Sequence, residues 1–191
     1  MSFFRDQLEA WLKTIDVDAK SVCDVGGAQL PVRGRVKSWN VEKYEIRDLA
    51  KPHQKDATVT DYIIDNIELG GIQYGPQYDV VFCLEVMEYV LNPRQVIQNL
   101  FDMMRSEGIL YISFPFVYPN HNPDGADMLR YTKYAVGELL TDAGFEIDMI
   151  TPRLARSPEA LTAFYHSDGM HPVRDETIAH TGYLVQAHKP A

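Results

Sequence analysis

The stretch Val22-Cys23-Asp24-Val25-Gly26-Gly27 constrains this chain more than any other. Val22, Cys23 and Val25 make a short apolar run suited to a strand buried on both faces. The run ends in two glycines, which admit backbone conformations closed to other residues and let a chain pass close to a ligand. Asp24 lies among the apolar residues, where a carboxylate needs hydrogen bonds to be tolerated. A buried strand that turns sharply at glycine is where open α/β sheets bind nucleotide-like ligands, outside the carboxyl ends of their strands. The same six residues also suit a plain tight turn after a core strand, so the rest of the chain has to decide between the two.

Upstream, Phe4, Leu8, Trp11, Leu12 and Ile15 recur at helical spacing with Ser2 placed as a cap. This predicts an amphipathic helix over residues 2–15, packed on a sheet edge or serving as a lid over the ligand. Residues 28–40 hold Pro31 and Gly34 and predict a weak helix at best, with Arg33, Arg35 and Lys37 either on a solvated loop or facing an anionic substrate. Tyr44–Arg47 reads as a second strand closed by Asp48. An acid at a strand end about 20 residues past a glycine turn suits a ribose, because a carboxylate can accept from both hydroxyls. Glu45 is the rival acid, and on a strand it points into a different environment from Asp48.

Thr58–Ile64 predicts a third strand ending near Asp65-Asn66, and Tyr78–Leu84 a fourth running into Glu85-Val86-Met87-Glu88-Tyr89. Asn92 and Pro93 are a helix cap and first helical residue, ahead of Val96, Ile97, Leu100, Phe101 and Met104. Ile109–Phe114 is the fifth strand. A polar segment, Tyr118–Arg130, carries His121, Asp124 and Asp127. Thr132 caps another helix, which Gly144 ends, and Phe145–Ile150 comes next as a sixth strand. A short helix starts at Ser157-Pro158-Glu159, and Thr181–Ala187 is the final strand. Strands alternating with helices predict a mostly parallel sheet with helices on both faces. The last two strands lack a crossover helix between them, which favours an antiparallel final strand.

A length of 191 residues suits one domain with a full core. The formal net charge of -9 argues against a broad phosphate-binding surface, so nucleic acid is not the expected partner. Cys23 and Cys83 sit inside strands, which predicts reduced thiols and a cytoplasmic setting. No Cys/His spacing resembles a zinc site, so no metal is expected. Arg5, Asp6 and Glu9 rule the first residues out as a signal peptide, and no apolar run reaches membrane-spanning length.

With these segments placed, the chain resembles the class I S-adenosylmethionine-dependent methyltransferases, most closely the type-11-like group. Such proteins read Asp-x-Gly-x-Gly after the first strand, carry acids after the second and third, and show a phrase like Phe-Asp-x-Val-x-x-x-x-Val-x-Glu-His-Val-x-x-Pro. The phrase here is Tyr78-Asp79-Val80-Val81-Phe82-Cys83-Leu84-Glu85-Val86-Met87-Glu88-Tyr89-Val90-Leu91-Asn92-Pro93. One branch adds Pro-Phe-x-x-Pro-x-His-x-x-Pro-x-Asp and then Arg-Tyr-Thr, matched by Pro115-Phe116 through His121, Pro123 and Asp124 (or Asp127) to Arg130-Tyr131-Thr132. The resemblance covers roughly residues 20 to 150. Two departures stand out: Ala28 where a further glycine is usual, and Tyr89 where histidine is frequent.

The resemblance implies a Rossmann-like, doubly wound α/β fold, a mostly parallel seven-stranded sheet with an antiparallel last strand. It implies one methyltransferase domain over residues 1–191, with an N-terminal helix in 1–18 and a substrate-side insert in 151–180. Asp24 and Gly26 would hold the methionine end of S-adenosylmethionine. Asp48 would take the ribose, Asp65 with the backbone of Asn66 would meet the adenine, and Gly27 and Leu49 would also bind the cofactor. Leu84 and Glu85 would line the cofactor's other side. His121 is the candidate general base, or a loop histidine without a role. Tyr118 and Arg130 would orient the substrate, with pairing of Arg130 to Asp124 or Asp127 as its other reading. Tyr165, His166 and His171 of the insert would approach the acceptor, expected to be a small molecule or sugar-like. Two other readings stand beside this one. A nicotinamide dehydrogenase wants a third glycine, which Gly26-Gly27-Ala28-Gln29-Leu30-Pro31 lacks. A non-catalytic domain that keeps the fold as a binding or regulatory module is the alternative.

Overall fold

The computed structural model describes residues 2–52, 56–69, 77–120, 126–167 and 179–191. Helix α1 (Phe3–Leu12) comes first, followed by β1 (Asp16–Val25), β2 (Ser38–Asp48), β3 (Ile63–Ile64) and β4 (Tyr78–Cys83). A 3-10 turn (Met87–Tyr89) leads to α2 (Pro93–Met103), β5 (Met104–Pro115), α3 (Lys133–Asp142), β6 (Glu146–Leu154), α4 (Pro158–Ser167) and β7 (His180–His188). The strands form one seven-stranded sheet in the order β3-β2-β1-β4-β5-β7-β6. β1, β2, β3, β4 and β5 pair in parallel, and β7 runs antiparallel between β5 and β6. This is the Rossmann-like arrangement expected, and it sends the carboxyl ends of β1, β2, β4, β5 and β6 to one edge.

Side chains alternate across the strands and build a core on each face. One face gathers Val22, Val80, Phe82, Tyr111 and Leu184 beneath Leu8, Trp11 and Leu12 of α1. The other gathers Cys23, Val81, Cys83, Ile112 and Val185 beneath α2 and α3. The caps are local and specific. The Ser2 hydroxyl accepts from Arg5 N, the Asn92 side chain from Gln95 N and the Thr132 hydroxyl from Ala135 N. Gly144, at φ +101°, closes α3. No helix follows β1. Residues 26–37 instead form a turn-rich loop that buries Ala28, Val32 and Val36.

Several bounds differ from the sequence reading. β1 starts six residues before Val22, because its first half pairs with β2 alone and alternates between exposed and buried side chains. The third strand shrinks from Thr58–Ile64 to Ile63–Ile64: Thr58 donates to the carbonyls of Ala28 and Gln29, and only Arg47 and Asp48 of β2 accept a partner. β6 runs past Ile150 to Leu154, pairing along β7, so the first four residues of the expected 151–180 insert belong to the sheet.

Candidate active site

The strand carboxyl ends and the first turn of α1 surround a cleft of about 330 Å³, within the range of small-ligand sites. Its floor begins at the glycine turn. Gly26 has φ +77° and donates to the Arg47 carbonyl at 2.7 Å. A Cβ at Gly26 would fall 2.3 Å from Val86 Cγ2, and one at Gly27 would fall 2.4 Å from the Asp24 carboxylate. The close approach that requires glycine here is thus the chain's own packing against Val86 and Asp24.

Asp24 is buried, and its Oδ2 accepts from Val32 N at 2.7 Å and from the Tyr44 hydroxyl at 2.6 Å. Burial pushes its carboxyl up to about 6, with the Tyr44 and Val32 bonds opposing. Asp24 therefore fastens the 26–37 loop onto the end of β1. At the tip of β2, Asp48 Oδ2 accepts from Ala28 N at 3.0 Å and Oδ1 from Leu49 N at 2.7 Å. The departure at Ala28 is absorbed: its methyl is fully buried and its amide positions Asp48. Asp65 follows β3, pairs with Arg47 at 3.0 Å and donates its amide to the Asp48 carbonyl.

The opposite wall is built on Glu85, a non-glycine residue at φ +58° just beyond β4. The Ser113 hydroxyl accepts from Glu85 N and donates to Oε1, and Arg153 Nη1 donates to the same oxygen at 2.7 Å. Burial alone would raise the Glu85 carboxyl; the adjoining Arg153 charge, then Arg5 and Ser113, hold it below the usual range. Three residues on, buried Glu88 is pushed up to about 8 by burial and then by the Glu85 charge. From α1, Ser2, Phe4 and Arg5 border the same end of the cleft, with the Phe4 and Tyr118 rings 4.3 Å apart.

Of the residues singled out in the sequence, Asp24, Gly26, Gly27, Asp48, Leu49, Asp65, Asn66, Leu84, Glu85 and Tyr118 all border this cleft. Arg130 is engaged elsewhere. It holds Asp127 through two bonds, of 2.5 and 2.7 Å, and donates to the carbonyls of Tyr118 and Pro119, which fixes the segment after β5. Arg35 reaches the cleft but is paired with Glu9, and Lys37 is paired with Asp16. His166 is exposed on α4, and among the described residues none from 155–167 borders the cleft. The reason is local: Gln7 exchanges two hydrogen bonds with the Leu154 backbone, so α1 takes the place beside the end of β6. His121, Asp124 and His171, and the side chain of Tyr165, lie outside the described residues. The sequence reading missed Arg5, Ser113, Glu88 and Arg153. The helical stripe that turns Phe4 inward was a usable signal for its neighbour Arg5. Arg153 reads as one basic residue in an irregular stretch.

Residues 3–149 match a family described as a methyltransferase domain. The chain belongs to the class I S-adenosylmethionine-dependent methyltransferases. Within this family it is 37% identical, over 67 residues, to a ubiquinone biosynthesis O-methyltransferase from Shewanella pealeana; the match covers 35% of this chain and 28% of that relative. The methyltransferase fold is shared nearly end to end with solved structures. One chain of the Haloferax volcanii complex containing the methyltransferase activator Trm112 aligns with TM-score 0.66 at 16% identity, covering 99% of this chain and 90% of that one. An S-adenosylmethionine-dependent methyltransferase from Mesorhizobium loti aligns with TM-score 0.60 at 13% identity, covering 98% of each. Among the described residues of this methyltransferase, no helix is long and apolar enough to cross a membrane.

The donors and acceptors around the cleft fit the family's cofactor. Asp48 presents a carboxylate already fixed by two amides, Glu85 presents an ionised one, and Arg5 brings a guanidinium to the same end.

Proposed function

We propose that the cleft binds S-adenosylmethionine and that this chain transfers its methyl group to a small-molecule or sugar-like acceptor. The observation that carries the reading is the Asp48 carboxylate, held by the Ala28 and Leu49 amides at the tip of β2 beside the glycine turn. A carboxylate so fixed accepts from adjacent ribose hydroxyls without reorganising. Asp65 and Asn66 border the position for adenine, and Leu49 flanks it. Gly26, Gly27 and Leu84 face the methionine end. Asp24 supports that end by holding the loop, while Glu85 accepts from the ammonium and Arg5 donates to the carboxylate.

When bound, the cofactor supplies an activated methyl on a cationic sulfur, open to in-line displacement. The chain's part is orientation and charge. Ionised Glu85 favours a cation in the cleft. Tyr118 and Tyr89 wall the end where the acceptor enters. His121 is the proposed base for an acceptor that must lose a proton, and Tyr165, His166 and His171 are the proposed acceptor-side residues. Arg130 acts by bracing Tyr118. Cys23 and Cys83 are free and buried, which suits a reducing compartment, and we place the reaction in the cytoplasm.

The test is calorimetric titration with S-adenosylhomocysteine. Asp48→Ala is expected to weaken binding by about 1–3 kcal/mol, roughly 5- to 150-fold. Unchanged affinity in this variant, or binding of NAD in place of the homocysteine nucleoside, would overturn the reading.

A further inference from the structure

Arg153 is fully buried, yet it makes few of the bonds a guanidinium can make. Nη1 donates to Glu85 Oε1 at 2.7 Å, while Nε and Nη2 have no hydrogen-bond partner among the described residues. Its charged carbon lies 3.5 Å from the centre of the Phe4 ring, which caps it from α1. A buried ion pair of this kind is a poor source of stability, because desolvation offsets the Coulomb attraction, and an apolar pair of similar volume does as well or better. Glu85 adds a second cost: a left-handed backbone conformation that non-glycine residues seldom adopt. Two unfavourable features converge on one carboxylate, and that carboxylate borders the cleft. Arg153 and Ser113 both donate to Oε1, and among the described residues Oε2 is left to face a ligand.

We propose that Arg153 and Ser113 are positioning residues for Glu85, holding its carboxylate ionised and aimed into the cleft to receive an alkylammonium group. Under the cofactor reading above, on which this inference rests, that group is the methionine ammonium. The groups that face Glu85 are Arg153 from β6, Arg5 from α1, Glu88 from the 3-10 turn and Tyr118 from the segment after β5. Without Arg153, Glu85 keeps its burial and its repulsion from Glu88, and both drive it toward the neutral form. A neutral carboxyl does not hold an ammonium. Phe4 ties this arrangement to the first turn of α1, so the helix that carries Arg5 also covers the cation that keeps Glu85 charged.

The experiment is a pair of titrations from about pH 6.5 to 7.5, between the midpoints of Asp24 and Glu88, with each variant read against the wild type at the same pH. One probe is S-adenosylhomocysteine, which carries the ammonium. The other is 5′-methylthioadenosine, which keeps the nucleoside and sulfur and lacks the amino-acid group. In the wild type and in Arg153→Lys, the Kd for S-adenosylhomocysteine should change by less than about twofold across the window. In Arg153→Met it should rise as pH falls from 7.5 to 6.5, by up to the tenfold that one linked proton allows. The Kd for 5′-methylthioadenosine should match the wild type in every variant. A flat S-adenosylhomocysteine profile in Arg153→Met, or equal weakening of both probes, would overturn the proposal. If Arg153→Met does not fold, Glu85→Gln decides. It should weaken S-adenosylhomocysteine about tenfold or more and leave 5′-methylthioadenosine unchanged, and an equal loss for both would again overturn it. A wild-type chain that binds neither probe would instead contradict the cofactor reading.

Discussion

Asp24 carries a measurable consequence of its burial. Its carboxyl stands at about 6 in the folded chain and near 3.9 in an unfolded one. The folded state therefore holds the proton more tightly. The stabilisation from protonated Asp24 is full below about pH 4 and is lost as pH rises toward 6, beyond which the ionised group costs roughly 2–3 kcal/mol. Asp24→Asn keeps an acceptor for Val32 and Tyr44 and removes the titration. It is expected to be more stable than the wild type by roughly 2 kcal/mol at pH 7 and about equal to it near pH 4, read from urea midpoints. Identical pH dependence in the two chains would contradict the assignment. At this scale the motif spacing marked Asp48 as a strand-end acid, and the structure puts it at the cleft. The sequence did not point to Arg153 or Ser113, because their roles depend on which strands become neighbours.

Among the elements, α1 does two jobs. Leu8 and Leu12 are fully buried on the face that no crossover helix covers after β1, while Ser2, Phe4 and Arg5 border the cleft. Leu8→Ala is expected to cost about 2–5 kcal/mol of stability in urea unfolding. Saturating S-adenosylhomocysteine should restore part of that loss, since a ligand that binds only the folded chain stabilises it by mass action. A loss under about 0.5 kcal/mol would mean that α1 is not part of the core. The helix was legible from its 3.6-residue stripe and its serine cap, as α2 and α3 were from Asn92-Pro93 and Thr132. Strands were legible where both faces are buried, as in Val80–Cys83. They were not where a strand has one neighbour: the polar first half of β1 pairs with β2 alone and shows no apolar run. β3 failed in the other direction, because Thr58 looks strand-like and spends its hydroxyl on the glycine loop.

For the whole molecule, the strand order brings the ends of β1, β2 and β4 together with β5 and β6 at one edge. Alternation of strands and helices predicts a parallel sheet, but not that β7 inserts between β5 and β6 and sets Arg153 beside Glu85. A cleft with fixed carboxylates at both ends suits a ligand that pairs a ribose with a cationic group. The chain's net charge of -9 agrees with a cationic ligand and not with a polyphosphate. The most direct measurement is a crystal structure of the protein with S-adenosylhomocysteine. The expected result places the ribose hydroxyls on the Asp48 carboxylate, adenine beside Asp65 and Asn66, and the amino group on Glu85. A nucleoside bound elsewhere, or a ribose out of reach of Asp48, would contradict the account.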